Sequence, residues 1–539
     1  MITASRPSSI STSPDGGRQI GRYWSLALLG AITVIAVAVR FYRIDFQSVW
    51  HDELFSLGVS RMPFPEMHRF LIEDLVHPPL HYYLLHWWFQ AFGYGPLQAR
   101  VLSLIFGVLA VLMLYLLARY LFGLTTALLS AFLLAVSQVT IMYSQEARPY
   151  AMCLLIVLCC AYYFLRAVRE KRLSFWAAFI LFAGLLLYTH YYGFFALGAI
   201  AVFAAFYWRR YPISWAWLLT GVFGIAIAYT PWLTSGLISE ALHGRKFHLA
   251  HSSPAASSGK TQAGSSEHHW YTPVTILNTF NNGRQNGVLE SSPFWTFLVG
   301  GMLFTVPAVL SLSRLIGKRN IEPAEQIDRE NTSYLALLTV VPVAVGLAIT
   351  HFTGVYAIRY IAFCAAPYYI LVARGITLSR NPKFRWAVVF GILLYSGTAV
   401  RANYSVPYKE DYKHVFPSIA KDFRLGDCAV VAQPWEVREA RWAWAVYGGQ
   451  GPEIRSLDSV LPPEQGCERV WLISVFYRGN PVAVRNGEVA RQKLRQVFEL
   501  RKTKRFFWIV VDLYSRGRQE VRSGATEQKT GLKTRSVKP

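Results

Sequence analysis

Charged residues are missing from long stretches of this chain. Val101–Ala118, Tyr120–Gln145, Pro149–Leu165, Tyr211–Ser239 and Ser291–Ser313 each run for 17 or more residues without Asp, Glu, Lys or Arg. A helix needs roughly 20 predominantly apolar residues to cross a bilayer. One or two such runs could be buried core helices, but a series of them marks a polytopic membrane protein. The pattern predicts spans near 23–41, 99–119, 124–143, 149–166, 173–190, 192–208, 213–235, 293–314, 333–351, 358–374 and 386–402. That makes about 11 transmembrane helices. The segment His77–Gly93 is also apolar, but it holds three histidines and several aromatics and ends in a Gly-rich turn. It is predicted to lie at the membrane interface or to re-enter rather than cross.

Charge fixes the direction of threading. Arg18 and Arg22 precede the first span, and later clusters fall at Arg166/Arg169/Lys171/Arg172, Arg209/Arg210, Arg314/Lys318/Arg319 and Arg374/Arg380/Lys383/Arg385. Cytoplasmic loops accumulate Lys and Arg. All of these clusters fall inside when the N-terminus is inside and His77–Gly93 does not cross. The chain has 539 residues and a net charge of +23, yet only 16% of its residues are charged, against about 25% in soluble proteins. Its basic residues sit between apolar runs, so the excess is read as topology rather than nucleic-acid binding. Residues 1–22 lack a small-residue cleavage site and form a cytoplasmic tail ahead of a true first span.

The predicted organisation is therefore an all-α membrane domain over 23–402, with outer loops 42–98 and 236–292. A small soluble α/β domain follows over 403–515, and 516–539 is a disordered basic tail. In the soluble domain, strand-like runs occur at Cys428–Gln433, Val470–Tyr477 and Phe506–Tyr514, with helical patterns at 436–446 and 488–500. Cys153, Cys159, Cys160 and Cys364 lie in spans and are read as apolar packing. Cys428 and Cys467 open or precede two strand-like runs. If those strands are parallel neighbours, the two residues are placed to bridge; two unrelated thiols are the alternative.

Candidate chemistry gathers at the outer ends of the spans. Trp50-His51-Asp52-Glu53 follows the first span; ionised carboxylates between aromatics at a membrane surface are costly and often functional. The plainer reading is an acidic pair in the first turn of a helix. His77-Pro78-Pro79-Leu80-His81-Tyr82-Tyr83, Tyr143-Ser144-Gln145-Glu146-Ala147-Arg148, His190-Tyr191-Tyr192 and Arg359-Tyr360 map to the same side. Arg359 begins a span with no acidic residue nearby in sequence, and a phosphate is a natural partner for it. No segment has metal-ligand spacing.

Together these motifs resemble the GT-C membrane glycosyltransferases, and most closely the bacterial relatives of protein O-mannosyltransferases and of the lipid A aminoarabinose transferase. The resemblance covers about residues 23–402 and is strongest over 40–170. It implies an inner-membrane enzyme with its active site on the periplasmic or extracellular side. Such an enzyme takes a sugar from a polyprenyl-phosphate donor and delivers it with inversion to a lipid, protein or glycan hydroxyl. By that resemblance Asp52 is the general base, with Glu53 and Glu146 as further catalytic acidic groups. Arg148, Arg359, His77 and Tyr360 would bind the donor phosphate, and His81, Tyr82, His190 and Tyr191 would line the substrate. Some members use a divalent cation (Mg or Mn) and others do not; no decisive ligand set is present, so no metal ligand is assigned. The C-terminal domain resembles a variable appendage of the superfamily. The competing class is a lipid or solute transporter. It predicts internal repeats with broken midplane helices, and no convincing repeat is visible.

Overall fold

A computed structural model describes residues 15–74, 76–213, 215–243, 272–282, 298–316, 322–353, 358–449, 451–459, 467–476 and 481–516. The predicted N-terminal tail lies largely outside these residues, as do much of the 236–292 loop and nearly all of the basic tail.

Among the described residues, helices occupy each predicted span. They are α1 (Asp15–Phe41), α5 (Pro96–Phe122), α6 (Leu124–Val136), α7 (Gln138–Ser144), α8 (Tyr150–Glu170), α9 (Leu173–Leu187), α10 (Gly193–Phe206) and α11 (Trp215–His243). After α12 (Thr272–Asn282) come a π-turn at Gly301–Thr305, α13 (Val306–Leu312), α14 (Pro323–Thr353), a 3₁₀ turn at Ile358–Cys364, α15 (Ala365–Leu378) and α16 (Pro382–Ser405). Among the described residues, six helical segments are long and apolar enough to cross a membrane, or seven if α6 and α7 form one bent span. α9 and α10 are apolar but shorter. α1 leaves Tyr23, Trp24, Leu26 and Val34 exposed, as a lipid-facing helix does, whereas α8 is buried along most of its length. Alanines at 110, 118, 127, 131, 161 and 167 are buried in the shared core, where small side chains let helix backbones approach.

The predicted span 124–143 is broken, with a 60° bend between α6 and α7. Backbone groups freed by such a break need partners where water is excluded. Arg40, fully buried near the end of α1, supplies them. It donates to Ala135 O (2.8 Å), Leu134 O (3.1 Å), Thr140 Oγ1 (3.1 Å) and Ser144 Oγ (3.1 Å). A cation at the C-terminal end of α6 also meets the negative end of that helix's dipole. The break points α7 at the turn that carries Glu146 and Arg148.

Between α1 and α5 lie three short helices, α2 (His51–Arg61), α3 (Phe64–Asp74) and α4 (Leu80–Phe92). α4 is 13 residues long, shorter than the roughly 20 residues a helix needs to cross a bilayer.

The C-terminal domain is a five-stranded mixed sheet, order β2-β1-β3-β5-β4, with α17 (Tyr412–Asp422), α18 (Val437–Tyr447) and α19 (Pro481–Arg495). Its strands are β1 (Asp427–Val431), β2 (Ile454–Ser456), β3 (Arg469–Val475), β4 (Glu499–Phe506) and β5 (Ile509–Ser515). Two readings are corrected here. The helix expected over 488–500 ends at Arg495, because Glu499–Phe506 pairs antiparallel with β5. This edge strand, Glu-Leu-Arg-Lys-Thr-Lys-Arg-Phe, is mostly exposed and charged, as edges that avoid further pairing are. The strand expected from Phe506 starts at Ile509; Phe507 and Trp508 form the hairpin turn, with Trp508 at φ 60°.

β1 and β3 are parallel neighbours, and Cys428 and Cys467 are joined in a disulfide with Cα atoms 5.8 Å apart. The bridge closes a 39-residue separation. Its removal by Cys467→Ser is expected to lower domain stability by about 2–4 kcal/mol, read as a lower unfolding temperature. Non-reducing mass spectrometry should return the Cys428–Cys467 peptide pair, and alkylation of Cys467 without reduction would contradict it. The four membrane cysteines are free and buried.

This domain docks on the first loop. Val49, Leu54, Leu57, Leu85 and Phe89 share one core with Tyr412, Phe416, Ala443 and Trp444. The approach is close: a Cβ on Gly58 would sit 2.2 Å from the Trp442 ring. Only glycine fits there without displacing the indole.

Candidate active site

α2 opens with His51, Asp52 and Glu53 in its first turn. The plain prediction of a helix-start acidic pair is therefore correct as local structure, since carboxylates favour the positive end of a helix. Their surroundings nevertheless divide the two carboxylates.

Asp52 is half-buried. Its Oδ2 is 3.5 Å from Arg359 Nη2. Arg148 holds the backbone here: its Nη1 donates to the Asp52 carbonyl (3.1 Å), Ser56 Oγ (3.3 Å) and Tyr82 Oη (3.3 Å). Burial opposes ionisation of Asp52, but the charges of Arg359, Arg148, His51 and His77 outweigh it. They hold the carboxyl well below its ordinary range. The Nε atoms of Arg148 and Arg359 are buried without a hydrogen-bond partner among the described residues. Arg359 also lies over the rings of Trp50 (5.3 Å) and Tyr360 (5.5 Å).

Glu53 is fully buried and engaged on every side. Arg100 grips it bidentately, Nε to Oε1 and Nη2 to Oε2, both at 2.9 Å. Lys409 Nζ is 2.9 Å from Oε2, and the Ala147 amide donates to Oε1 at 3.0 Å. Burial disfavours its charge, yet Arg100 and then Lys409 pull its pKa down to about 2. Glu146 joins the same cluster, with Oε1 3.1 Å from Lys409 Nζ. Burial, reinforced by the nearby Glu53 and resisted by Lys409, pushes Glu146 above its ordinary range. Expected from the resemblance to act in catalysis, both are held in a buried ion network that ties α2 to the 145–148 turn and to the chain beyond α16. The carboxylate left accessible is Asp52.

The remaining candidates fall around Asp52. His77 Nδ1 is 2.8 Å from Asp74 Oδ2, and its ring lies 4.4 Å from Phe55. Tyr82 packs edge-on to Phe55 and His77. His190 contacts the rings of Tyr150, Tyr192 and Tyr360. Burial, then Arg148, lowers the pKa of His81 to about 3, and burial with Arg148, His77 and Arg359 does the same for His190. Both imidazoles are neutral at ordinary pH. Tyr191 sits farther along the wall, accepting from Trp232 Nε1 at 3.3 Å.

Sequence reasoning missed Arg100 and Lys409. Arg100 carried a usable signal: like Arg359, it is a lone cation at the start of an apolar span. Lys409 carried none, lying in the charged stretch Tyr408-Lys409-Glu410-Asp411. Among the described residues, no group of three or more His, Cys, Asp or Glu is disposed to hold a metal ion.

Comparison with known proteins adds to this geometry. Residues 76–234 match a family model described as dolichyl-phosphate-mannose-protein mannosyltransferase. No curated protein matches the chain. Archaeal oligosaccharyltransferase AglB from Archaeoglobus fulgidus, solved with an inhibitory peptide and a dolichol-phosphate, aligns with TM-score 0.52 at 13% identity. The alignment covers 94% of this chain and 75% of that one. The apo oligosaccharyltransferase of the same organism gives 0.51 at 14% identity, covering 89% and 69%. ArnT from Cupriavidus metallidurans bound to undecaprenyl phosphate aligns over 90% of this chain and 97% of its own, at 14% identity and TM-score 0.42. The mostly helical membrane part with its small C-terminal sheet is a GT-C-like fold, and the chain resembles the GT-C membrane glycosyltransferases.

Proposed function

We propose that the protein transfers a sugar from a polyprenyl-phosphate donor to an acceptor hydroxyl, with inversion, using Asp52 as general base. One observation carries this reading: the half-buried Asp52 carboxylate faces Arg359, Arg148 bonds the Asp52 backbone carbonyl, and among the described residues the Nε atoms of both arginines have no hydrogen-bond partner. A phosphate supplies the oxygens those guanidinium groups lack. The AglB structure containing dolichol-phosphate supports a donor of that class.

In this mechanism Arg359 has two partners in succession. Without donor it pairs with Asp52, which makes Asp52 a weak base. When the donor phosphate arrives, it competes for Arg359, and the carboxylate gains basicity next to the acceptor. Asp52 then accepts the hydroxyl proton, the acceptor oxygen attacks the anomeric carbon, and the bond to the phosphate oxygen breaks. Arg359 and Arg148 stabilise the charge that develops on the departing phosphate. Tyr82 fixes Arg148, while Tyr360 packs beside Arg359 and His190 packs against Tyr360.

The direct test incubates membranes containing the protein with labelled polyprenyl-phosphate sugars. A labelled product that depends on the protein supports transfer, whereas donor translocation without product would favour a transporter. Arg359→Ala is expected to weaken binding of polyprenyl phosphate by about 10-fold or more, the loss of one charge-assisted contact of roughly 1.5–3 kcal/mol. Binding unchanged from wild type would exclude it as a phosphate ligand. A compartment-sensitive reporter fused near residue 405 should read outside the cytoplasm. A cytoplasmic signal would remove the proposed periplasmic or extracellular placement of the site.

A further inference from the structure

The two residues flanking Asp52 are each held by the C-terminal part of the chain. On one side, Lys409 Nζ lies 2.9 Å from Glu53 Oε2 and 3.1 Å from Glu146 Oε1. On the other, Glu436 Oε1 lies 3.6 Å from His51 Nδ1. Lys409 sits on the segment linking α16 to α17, and Glu436 closes the 3₁₀ turn Pro434–Glu436 that leads into α18. Asp52 lies between these two ties and faces Arg359 of the membrane part.

Both ties are expensive as mere docking contacts. Glu436 and Glu439 are almost wholly buried, and Glu410 nearly so. A buried ion is repaid only by good geometry and further hydrogen bonds, and apolar residues would dock a domain at lower cost. Tyr412 Oη bonds Glu436 Oε2 at 3.1 Å, and Arg438 Nη2 lies 2.7 Å from Glu439 Oε1. The other carboxylate oxygen of Glu436, Oε1, is the one that lies against His51. Burial disfavours the charge on His51, but Glu436, Glu439, Asp52 and Glu410 together raise its pKa, and Glu436, Glu439 and Glu410 belong to the C-terminal part.

The same reach extends to Arg359. Lys409 Nζ stands 5.9 Å from the Trp50 ring, and the Arg359 guanidinium 5.3 Å from the same ring. Trp50 is thus an aromatic spacer between the Glu53–Glu146 clamp and the cation that pairs with Asp52.

We propose that the C-terminal domain is part of the catalytic apparatus, with Lys409 and Glu436 as positioning residues that bracket Asp52 and set its placement against Arg359. The proposal rests on Asp52 being the base.

The test uses the full-length protein in lipid nanodiscs, a labelled polyprenyl-phosphate sugar that the wild type turns over, and polyprenyl phosphate alone as binding probe. Glu436→Gln keeps shape and hydrogen bonding. It should fold, because burial with Glu439 and Glu410 already pushes Glu436 up to about 7 against His51, so the neutral form is tolerated. Where wild-type Glu436 is ionised, above about pH 7, the substitution removes its charge, so His51 holds its proton less tightly and Asp52 loses a favourable neighbour. The wild-type kcat–pH profile should therefore show an inflection near 7 that Glu436→Gln lacks. Lys409→Met, with Lys409→Met/Glu146→Gln as the charge-balanced partner and Glu146→Gln as its control, should cut kcat about 10- to 100-fold, the scale of a small misplacement of a reacting group. Binding of polyprenyl phosphate should stay within about threefold, because Arg148 and Arg359 remain. A folded Glu436→Gln protein with the wild-type kcat and the wild-type pH profile would overturn the proposal, as would a charge-balanced double variant no slower than Glu146→Gln alone. Failure of the underlying reading looks different: Asp52→Asn would itself turn over, or the wild type would transfer nothing.

Discussion

Asp52→Asn is expected to lower sugar transfer by about 10²–10⁴-fold, the range that one positioned general base supplies. The amide keeps the shape of the carboxylate and can still accept from Arg359, but it cannot take a proton. Folding should survive, because Asp52 is half-exposed and its backbone carbonyl, which Arg148 grips, is unchanged. The variant should therefore insert, purify and bind polyprenyl phosphate like the wild type. Retention of that binding with loss of product separates a chemical defect from an assembly defect. Transfer near the wild-type rate would place the base elsewhere.

Glu53→Ala, one residue along, is expected to fail in a different way. It removes the acceptor of the bidentate Arg100 pair, of Lys409 and of the Ala147 amide at once. Arg100 and Lys409 stay buried; Arg100 keeps the carbonyls of Ile44, Gln47 and Ser48, and Lys409 keeps Glu146. Breaking one side of a buried pair costs about 3–5 kcal/mol. That is a large share of the total stability of a folded domain. The expected result is loss of folded protein, read as low yield in mild detergent and a much lower unfolding temperature. Full yield with normal stability would show that the network is not structural. Adjacent acidic residues would thus give a stable, inactive variant and an unstable one.

The sequence could not make that distinction. Asp52 and Glu53 differ by one rotation of about 100° about the helix axis. That rotation turns one toward Arg359 and the other toward Arg100, a difference visible only once partners some 47 to 356 residues away are in place. The spans were legible because an uncharged run is a property of the chain alone. The break at Ser137 was not: the run through it is continuously apolar, and its stabilising partner, Arg40, comes from another helix. β4 was hidden for the opposite reason. An exposed edge strand has no apolar face to show, so Glu499–Phe506 reads as helix or loop. The Phe507–Trp508 turn carries no Gly or Asn to announce it. At the site, the motifs drew attention to Asp52, Arg148 and Arg359, but Lys409 and Glu436 have meaning only through the docking of α17 and α18.

That docking has a consequence for biogenesis. The first loop emerges early from the ribosome, yet the contacts that complete it come late: Val49 bonds Tyr447 across 398 residues, and Glu53 meets Lys409 across 356. At about 5–20 residues per second of synthesis, the early segment waits roughly 20–80 s for its partner. During that interval Leu54, Leu57 and Phe89 have no cover from the late segment, and Glu53 and Glu146 lack their lysine. A ribosome stalled before Tyr447 therefore yields a chain with its membrane helices made and its site unassembled. The nascent protein is exposed to chaperones and proteases throughout that wait, and premature chain termination late in the message is as damaging as an early one.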